Sequence, residues 1–259
     1  MHAPPGAMSM RKNEKIFAVC VTTLACLAAC GGNSDGSGDA INTPGSGTSY
    51  AFVPPVVDSS RIYAETIVDN SNNTIMEGYS VTVTAVAADG TITEQQQSTI
   101  PTGNTVNGTD YSVLTETETF NDFGRETGYA YTDPDGAQGT CTYTPYAGGP
   151  TPPLTVGQSW QIDYNQACNG NPGIDYSQRG NVMDVESVTA PAGTFTALKL
   201  QSTTSWTDTH GTTHLETATN WLDVVTFHSV KQSITYASGG TLPTNGYAVS
   251  RQIVLQSTS

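Results

Sequence analysis

Three histidines in the last third of the chain are the residues best suited by type to metal or hydrolytic chemistry. His210 and His214 are four residues apart, a spacing that on a helix would point both imidazoles at one metal ion, with Asp208 as a further ligand. Here Gly211 and two threonines separate them, which predicts an exposed polar turn instead. A hydrolase would require these histidines and His228 to meet carboxylates in one cleft.

Glu116 and Glu118 lie two residues apart on a predicted strand, so their side chains share one face, and Asp122 follows closely. Paired carboxylates of this kind are the acid and base of glycoside hydrolases. However, a strand that alternates threonine with glutamate in an acidic protein is more typical of a surface. We therefore expect Glu116 and Glu118 to face water.

Two further segments match a catalytic or a calcium-binding sequence motif but lack the flanking structure or the ligands that the motif needs. Residues 32–36, Gly-Asn-Ser-Asp-Gly, match the G-x-S-x-G nucleophile elbow, which requires a strand before it and a helix after it. Residues 133–136, Asp-Pro-Asp-Gly, begin like a calcium loop but lack the further oxygen ligands at fixed spacing. The chain also lacks a glycine-rich phosphate loop and a Cys/His nucleophile arrangement. We predict no catalytic residue, no metal site, no cofactor and no enzymatic activity.

Short segments of alternating polarity, separated by turn signals, fill residues 56–259. For example, Val81, Val83 and Ala85 alternate with threonines, and the Asp-Gly pair at 89–90 then predicts a hairpin. The predicted strands are 62–68, 79–87, 91–99, 111–120, 128–132, 140–144, 159–166, 181–189, 194–206, 214–222, 229–236 and 247–257. No window keeps a 3.6-residue period, so we predict an all-β fold: one antiparallel domain built as a curved sheet, half-barrel or barrel. A short helix at 55–60 or 121–126 stays an alternative.

The balance of charge restricts the classes of partner. Nine Lys and Arg side chains oppose 23 Asp and Glu side chains, which gives a formal net charge of −14. Nucleic-acid binding needs a cationic surface that releases counterions, so we predict no nucleic-acid partner. The same deficit argues against an extended basic surface that holds anionic lipid.

A basic stretch, an apolar run and a cysteine follow one another near the start of the chain. The basic residues lie within 11–15, and the apolar residues 16–27 are too few to span a bilayer but suit a signal peptide. The run ends in Leu27-Ala28-Ala29-Cys30, an order that resembles the lipobox of bacterial lipoprotein signal peptides. The alternative is an ordinary secretory signal with a chance cysteine. Met1 and Met10 are both candidate start residues.

This resemblance implies that residues 1–29 are removed as a signal peptide and that Cys30 becomes a lipidated first residue, with acyl chains such as palmitate. Two or three acyl chains hold a protein on a membrane where one alone would be marginal. In this family an aspartate after the cysteine favours the inner membrane, so Gly31 indicates the outer membrane, with the domain facing the periplasm or the cell surface. Residues 30–55, rich in Gly, Ser and Pro, then form a flexible tether. Removing residues 1–29 changes the net charge from −14 to −16.

Two cysteines remain in the predicted domain, Cys141 and Cys168. The oxidising periplasm favours a disulfide between them, which would contribute about 3–4 kcal/mol in the chain-entropy model. The alternatives are two buried thiols or half of a metal site, for which the histidines are far away in sequence. We predict the disulfide.

The second half of the domain resembles a group of uncharacterised bacterial envelope proteins. Residues 153–160 (PLTVGQSW) are similar to their PL-x-VG-x-x-W opening, and residues 188–199 (VTAPAGTFTALK) to their V-x-x-PAGTF-x-A-x-K motif. Trp221 and the Val-Lys pair at 230–231 fall where those proteins carry W and V-K, although their usual glycine is absent at 228–229. Some of these proteins are similar to the lipoprotein carriers LolA and LolB, which implies a concave apolar face able to hold acyl chains.

We predict two alternative functions, the first from the half-barrel resemblance and the second from the polar surface rich in Thr, Ser and Gln. The first is a non-catalytic envelope lipoprotein that binds a hydrophobic or lipid ligand in its concave sheet. The second is a structural or protein-interaction lipoprotein without a small-molecule pocket, which would present an exposed strand or patch. The PAGTF motif also has a structural explanation, in which Pro191 and Gly193 form a turn and Phe195 and Leu198 enter the core. In either case the partners are the membrane, through the lipid anchor, and a hydrophobic ligand or another envelope protein.

Overall fold

Twelve antiparallel strands close into a barrel in the computed structural model of the protein. The structure describes residues 47–98, 105–106, 109–110, 115–132, 136–208, 211–241 and 247–259. Its strands in chain order are β1 (Ser49–Tyr50), β2 (Ser60–Asp69), β3 (Thr74–Val86), β4 (Ile92–Ser98), β5 (Thr105–Val106), β6 (Thr109–Asp110), β7 (Thr115–Phe120), β8 (Glu126–Thr132), β9 (Gln138–Thr144), β10 (Leu154–Thr155), β11 (Ser159–Cys168), β12 (Ile174–Ala190), β13 (Gly193–Thr207), β14 (Thr213–Asp223), β15 (Ser229–Thr241) and β16 (Tyr247–Thr258). The prediction of a single antiparallel all-β domain is confirmed, in its barrel form.

Each barrel strand pairs with the next barrel strand along the chain. The order around the ring is β2-β3-β4-β7-β8-β9-β11-β12-β13-β14-β15-β16, and β16 closes the ring by pairing with β2. In the connections, β5 pairs with β6, and β10 pairs with β1. Because the ring is closed, none of its twelve strands is an edge strand, so of the exposed strand or patch expected for the interaction function only a patch on the barrel surface remains.

The two-residue period of a strand decides which side chains fill the barrel. On β2, Arg61, Tyr63, Glu65 and Ile67 are all buried, while the residues between them are more exposed. Charged and aromatic side chains therefore share the interior with aliphatic ones.

One end of the barrel, here named the closed end, is covered by the chain that leads into β2. At this end β2 and β11 begin, and residues 224–228 connect β14 to β15. Phe52 packs edge-on against Phe227 there, with 6.0 Å between the ring centroids. Beneath them lies a group of buried residues that we name the leucine cluster: Leu154, Val182, Leu198, Leu200, Leu222 and Phe227.

The start of the folded part differs from the prediction. Strand pairing begins at Ser49, and Tyr50 and Phe52 both pack against the leucine cluster. The tether predicted to reach residue 55 therefore ends before Ser49, because burial of these two aromatic rings stabilises the segment on the barrel. The rest of the predicted tether, Cys30 and the signal peptide lie outside the described residues.

The turn of the β12–β13 hairpin also packs over the closed end. Gly193 takes a left-handed φ of 141° in the turn, and Ala192 and Phe195 pack against the cluster that contains Tyr63 and Tyr79. The predicted turn and the core position of Leu198 are thus confirmed, whereas Phe195 is only partly buried.

Neither position considered for a short helix forms one. Residues 55–60 and 121–126 are turns and strand ends. Within the described ranges, no helix has the length and apolar character needed to cross a membrane.

Candidate functional site

Four glutamates lie together inside the barrel and form what we name the carboxylate cluster. They are Glu94 on β4, Glu116 and Glu118 on β7, and Glu126 on β8, and all are nearly inaccessible to solvent. Glu94 and Glu118 occupy opposed positions on neighbouring strands. Arg61 reaches the cluster from β2, and its Nη2 donates a hydrogen bond to Glu94 Oε1 at 2.6 Å.

The expectation that Glu116 and Glu118 face water is therefore wrong. The alternation of threonine with glutamate on β7 is present, but the threonines take the outer face and the glutamates the inner one. The inner face of this wall can accept carboxyl groups because Arg61 and other polar groups line the same interior. Asp122 lies apart from them, exposed in the turn after β7.

Burial controls the protonation of the carboxylate cluster. It raises the pKa of Glu118 and Glu126 well above the ordinary carboxyl value, and the neighbouring glutamates raise both further, while Arg61 opposes the rise at Glu118. Oε2 of Glu94 and of Glu118 has no hydrogen-bond partner among the described residues. These raised pKa values mean that Glu118 and Glu126 keep their protons to a higher pH than an exposed glutamate does. In the described ranges, no group of three or more His, Cys, Asp or Glu is arranged to hold a metal ion.

A row of aromatic rings, which we name the aromatic row, leads from the carboxylate cluster toward the end opposite the closed end. Successive ring centroids are 5.0–6.1 Å apart along Tyr129, Tyr143, Tyr164, Tyr176, Trp206 and His214. Gln166 connects three of the hydroxyl groups, because its Nε2 lies within reach of Tyr129 and Tyr143 and its Oε1 accepts from Tyr176. Burial raises the pKa of Tyr143 and Tyr164 well above the ordinary value, so both phenols stay neutral.

The two remaining cysteines form a disulfide beside the aromatic row. Cys141 on β9 and Cys168 on β11 occupy directly opposed positions, with their Cα atoms 4.1 Å apart. The predicted disulfide is confirmed. The disulfide joins β9 to β11, which pair directly although β10 lies between them in sequence.

The described histidines lie at opposite ends of the barrel. His214 stacks on Trp206 near the start of β14, with its Nε2 3.2 Å from Asp208 Oδ2. His228 lies just before β15, at the closed end, and burial, followed by the charge of Arg61, lowers its pKa to about 3. His210 falls outside the described residues. A hydrolytic site that uses both His214 and His228 is therefore excluded by their separation.

His228 takes part in a local arrangement that resembles a nucleophile site. Thr226 Oγ1 donates to Asp223 Oδ2 at 2.6 Å and lies 2.6 Å from His228 Nδ1. Because the hydroxyl proton goes to Asp223, Nδ1 must carry the proton of the second bond. An imidazole that donates to a hydroxyl cannot act as its base, so the arrangement fixes a turn and does not activate Thr226.

Residues from three separate parts of the second-half motifs meet on the outer face of the barrel. Lys199 Nζ and Lys231 Nζ lie 5.5 Å and 5.1 Å from the ring centroid of Trp221, which stands between them on the central strand. Trp221 Nε1 donates to Glu186, whose other carboxylate oxygen is 3.5 Å from Lys199 Nζ. The stack was not predicted because its residues are far apart in sequence. The register of the adjacent hairpin strands could have indicated it. Within this stack both lysines lie against the Trp221 ring, and Glu186 accepts from Trp221 and pairs with Lys199.

Two open grooves lie elsewhere on the barrel. The larger, of about 870 Å³, runs over β11–β14 and is lined by polar side chains such as Asp163, Asn165 and Asp175 together with Tyr164, Ile174, Tyr176 and Trp206. The smaller, of about 460 Å³, is lined chiefly by threonines and other polar residues of β7–β9. Both grooves therefore combine polar and apolar surface.

Comparisons with known proteins give three solved structures that match this chain. One is a protein from Bacteroides fragilis described as exported, with a YmcC-like fold, at 12% identity and a TM-score of 0.48, covering 82% of this chain and 100% of that one. The second is a protein from Parabacteroides distasonis described as a lipoprotein, at 13% identity and a TM-score of 0.41, covering 81% and 99%. The third is the hypothetical lipoprotein YmcC from Escherichia coli, at 12% identity and a TM-score of 0.39, covering 77% and 87%. At these values we draw no functional argument from them.

No family model matches the chain, and no curated protein matches it either.

Proposed function

We propose that the protein is a lipid-anchored lipoprotein of the bacterial outer membrane whose barrel serves as a non-catalytic interaction module. The observation that carries the proposal is the position of the barrel relative to the lipobox. Strand pairing begins at Ser49, only 19 residues after Cys30, and the segment enters at the closed end. The barrel is thus held beside whatever membrane carries the acyl chains.

Interaction through the outer surface is favoured over carriage of a hydrophobic ligand. The inward side chains of the described strands are buried tyrosines, aliphatic residues and the carboxylate cluster, which is a poor lining for acyl chains. The two grooves described above carry polar side chains beside their apolar ones. A polar or peptide-like partner fits these surfaces better than a lipid does.

Metabolic labelling with an alkyne fatty acid tests the anchor. The protein is expressed in a Gram-negative bacterium, and we expect the wild type to incorporate the label and to sediment with membranes. Cys30→Ser should lose both properties, whereas Cys26→Ser, a matched change four residues earlier, should keep them. An unlabelled wild type, or a labelled Cys30→Ser variant, would contradict the proposal.

Native mass spectrometry with lipid extraction tests the choice between the two functions. We expect the purified barrel to carry no stoichiometric acyl or isoprenoid species. Recovery of one such molecule per chain would instead support the hydrophobic-ligand function.

A further inference from the structure

We propose that the closed end of the barrel rests on the lipid bilayer, with Val225 and Val57 in contact with the phospholipid surface. This inference depends on the lipid anchor proposed above and adds the surface through which the barrel meets the membrane. The occupant of this surface is the bilayer that holds the acyl chains of Cys30.

The length of the connecting chain selects the closed end. Sixteen residues, 31–46, separate Cys30 from Gly47, and for a Gly/Ser-rich coil of that length the root-mean-square span is roughly 20–24 Å. The chain joins the barrel at the closed end, where β1 pairs with β10. A ten-residue strand such as β2 is about 33 Å long, so the opposite end is held farther from the bilayer.

Exposed apolar side chains lie on two neighbouring loops of this end. Val56 and Val57 precede β2, and Val225, which is 60% exposed, lies in the turn between β14 and β15. Phe52, in the segment that leads to Val56, contacts Phe227, two residues after Val225, so both loops belong to this end. Val57 is followed by Asp58, whose backbone N donates to Val83 O on β3. Valines presented from loop tips can enter the interfacial region of a bilayer without any rearrangement of the barrel.

The charges of the closed end are mixed. Lys199 and Lys231 flank Trp221 near the turn that holds Val225, and Glu186 lies beside Lys199. Asp58, Asp89 and Asp122 are exposed at the same end, with Asp58 directly after Val57. The two lysines can meet lipid phosphates on the β13–β15 side, and the apolar side chains make the rest of the contact.

A weak contact suffices because the anchor makes it intramolecular. A short linker gives an effective concentration in the millimolar range, so a surface that would not bind free lipid can still be occupied when tethered. The contact is mainly apolar, which agrees with the strongly acidic composition of the chain.

The test uses the full lipidated protein in phosphatidylcholine vesicles, with and without brominated lipid. Val225→Cys introduces the single free thiol of the mature chain, because Cys30 is acylated and Cys141 is bonded to Cys168. An environment-sensitive fluorophore on this thiol should be quenched by brominated lipid at least threefold more than one on Met76→Cys, an exposed position near the opposite end. Equal quenching at both positions, or none at Val225→Cys, would overturn the inference.

A second variant tests the apolar contact itself. With the fluorophore at Val57→Cys, the further change Val225→Asp should reduce quenching at least twofold, while Met76→Asp should leave it unchanged; no effect of Val225→Asp would overturn the inference. Flotation of the vesicles reports the anchor separately. A chain that floats without quenching refutes only the docking, whereas a chain that does not float refutes the anchor and the docking together.

Discussion

The carboxylate cluster and the leucine cluster occupy opposite walls of one barrel and are built by the same rule. In both walls, alternate residues point inward and are buried. On β13 and β14 the inward residues are Leu198, Leu200 and Leu222, whereas on β4 and β7 they include Glu94 and Glu118. The period of a strand thus determines which residues share a face, but it does not determine which face is inside.

The two walls also differ in what stabilises them. The leucine cluster gains free energy from the removal of apolar area from water. The carboxylate cluster has to neutralise its charge, through Arg61 and through protonation, before burial is tolerable. Substitutions that remove side-chain volume should therefore lower the free energy of unfolding most in the leucine cluster. Substitutions that remove one partner of an ion pair should lower it most in the carboxylate cluster.

The largest effect is expected at Arg61. Arg61→Met leaves Glu94 buried without its cation, and we expect a loss of about 3–5 kcal/mol in the free energy of unfolding. Urea denaturation at pH 7 measures it. Adding Glu94→Gln to the same chain should restore much of the loss, and a single variant within about 1 kcal/mol of wild type would contradict this account.

The next largest effect is expected in the leucine cluster. Leu222→Ala removes a fully buried side chain and should cost about 3 kcal/mol. Leu215→Ala lies on the same strand at an exposed position and should change stability by less than about 0.5 kcal/mol. Similar losses in the two variants, compared by urea denaturation, would show that the inward assignment of β14 is wrong.

The pH dependence of the free energy of unfolding also distinguishes the two walls. Glu118 and Glu126 have raised pKa values in the folded protein, so their stabilising contribution is complete below the unfolded value near 4.5 and is lost as the pH rises. Each such carboxyl lowers the free energy of unfolding by up to about 1.4 kcal/mol per pH unit. Glu216, whose pKa burial raises to about 7, follows the same direction.

His228 has the opposite sign, because its lowered pKa gives a contribution that is present above 6.5 and lost as the pH falls toward 3. Above pH 6.5 His228 contributes no slope, so the fall in stability with rising pH in that range comes from the carboxyl groups whose pKa is raised. Glu118→Gln should flatten that fall, and Leu222→Ala should leave its slope unchanged. A wild-type stability that is constant over this range would show that the cluster is not protonated.

The smallest effect is expected on the outer face, where neither wall contributes. Lys231→Ala removes one cation from Trp221 and should cost about 0.5–1 kcal/mol in thermal or urea unfolding. Arg179→Ala, a change at another exposed cation, is the matched control and should cost less. A larger loss than that of Leu222→Ala would mean that the stack, and not the interior, organises this side of the barrel.

The sequence allowed the strands to be predicted but not the way they close. Each of the twelve predicted segments overlaps one of the twelve barrel strands, because turn signals such as Asp89-Gly90 are local. Closure depends on the pairing of β2 with β16, which are far apart in sequence and carry no local signal of it.

The errors have separate physical causes. Glu116 and Glu118 were misplaced because their environment is set by Arg61 and by strands β4 and β8, which no property of β7 reveals. The start of the fold was misplaced because Gly and Pro surround Tyr50 and Phe52, although two aromatic residues in a polar segment were a usable signal. The meeting of Lys199, Trp221 and Lys231 required the register of three strands.

The pairing of β2 with β16 has a consequence for biogenesis. Ser60 and Ser259 exchange two backbone hydrogen bonds of 2.9 Å, so the first barrel strand receives its second neighbour only from the last one. A chain that emerges in N-to-C order exposes one side of β2 until β16 has also emerged. During that interval the unpaired side of β2 can pair with other strands, so rapid completion of the ring protects the chain from misassembly.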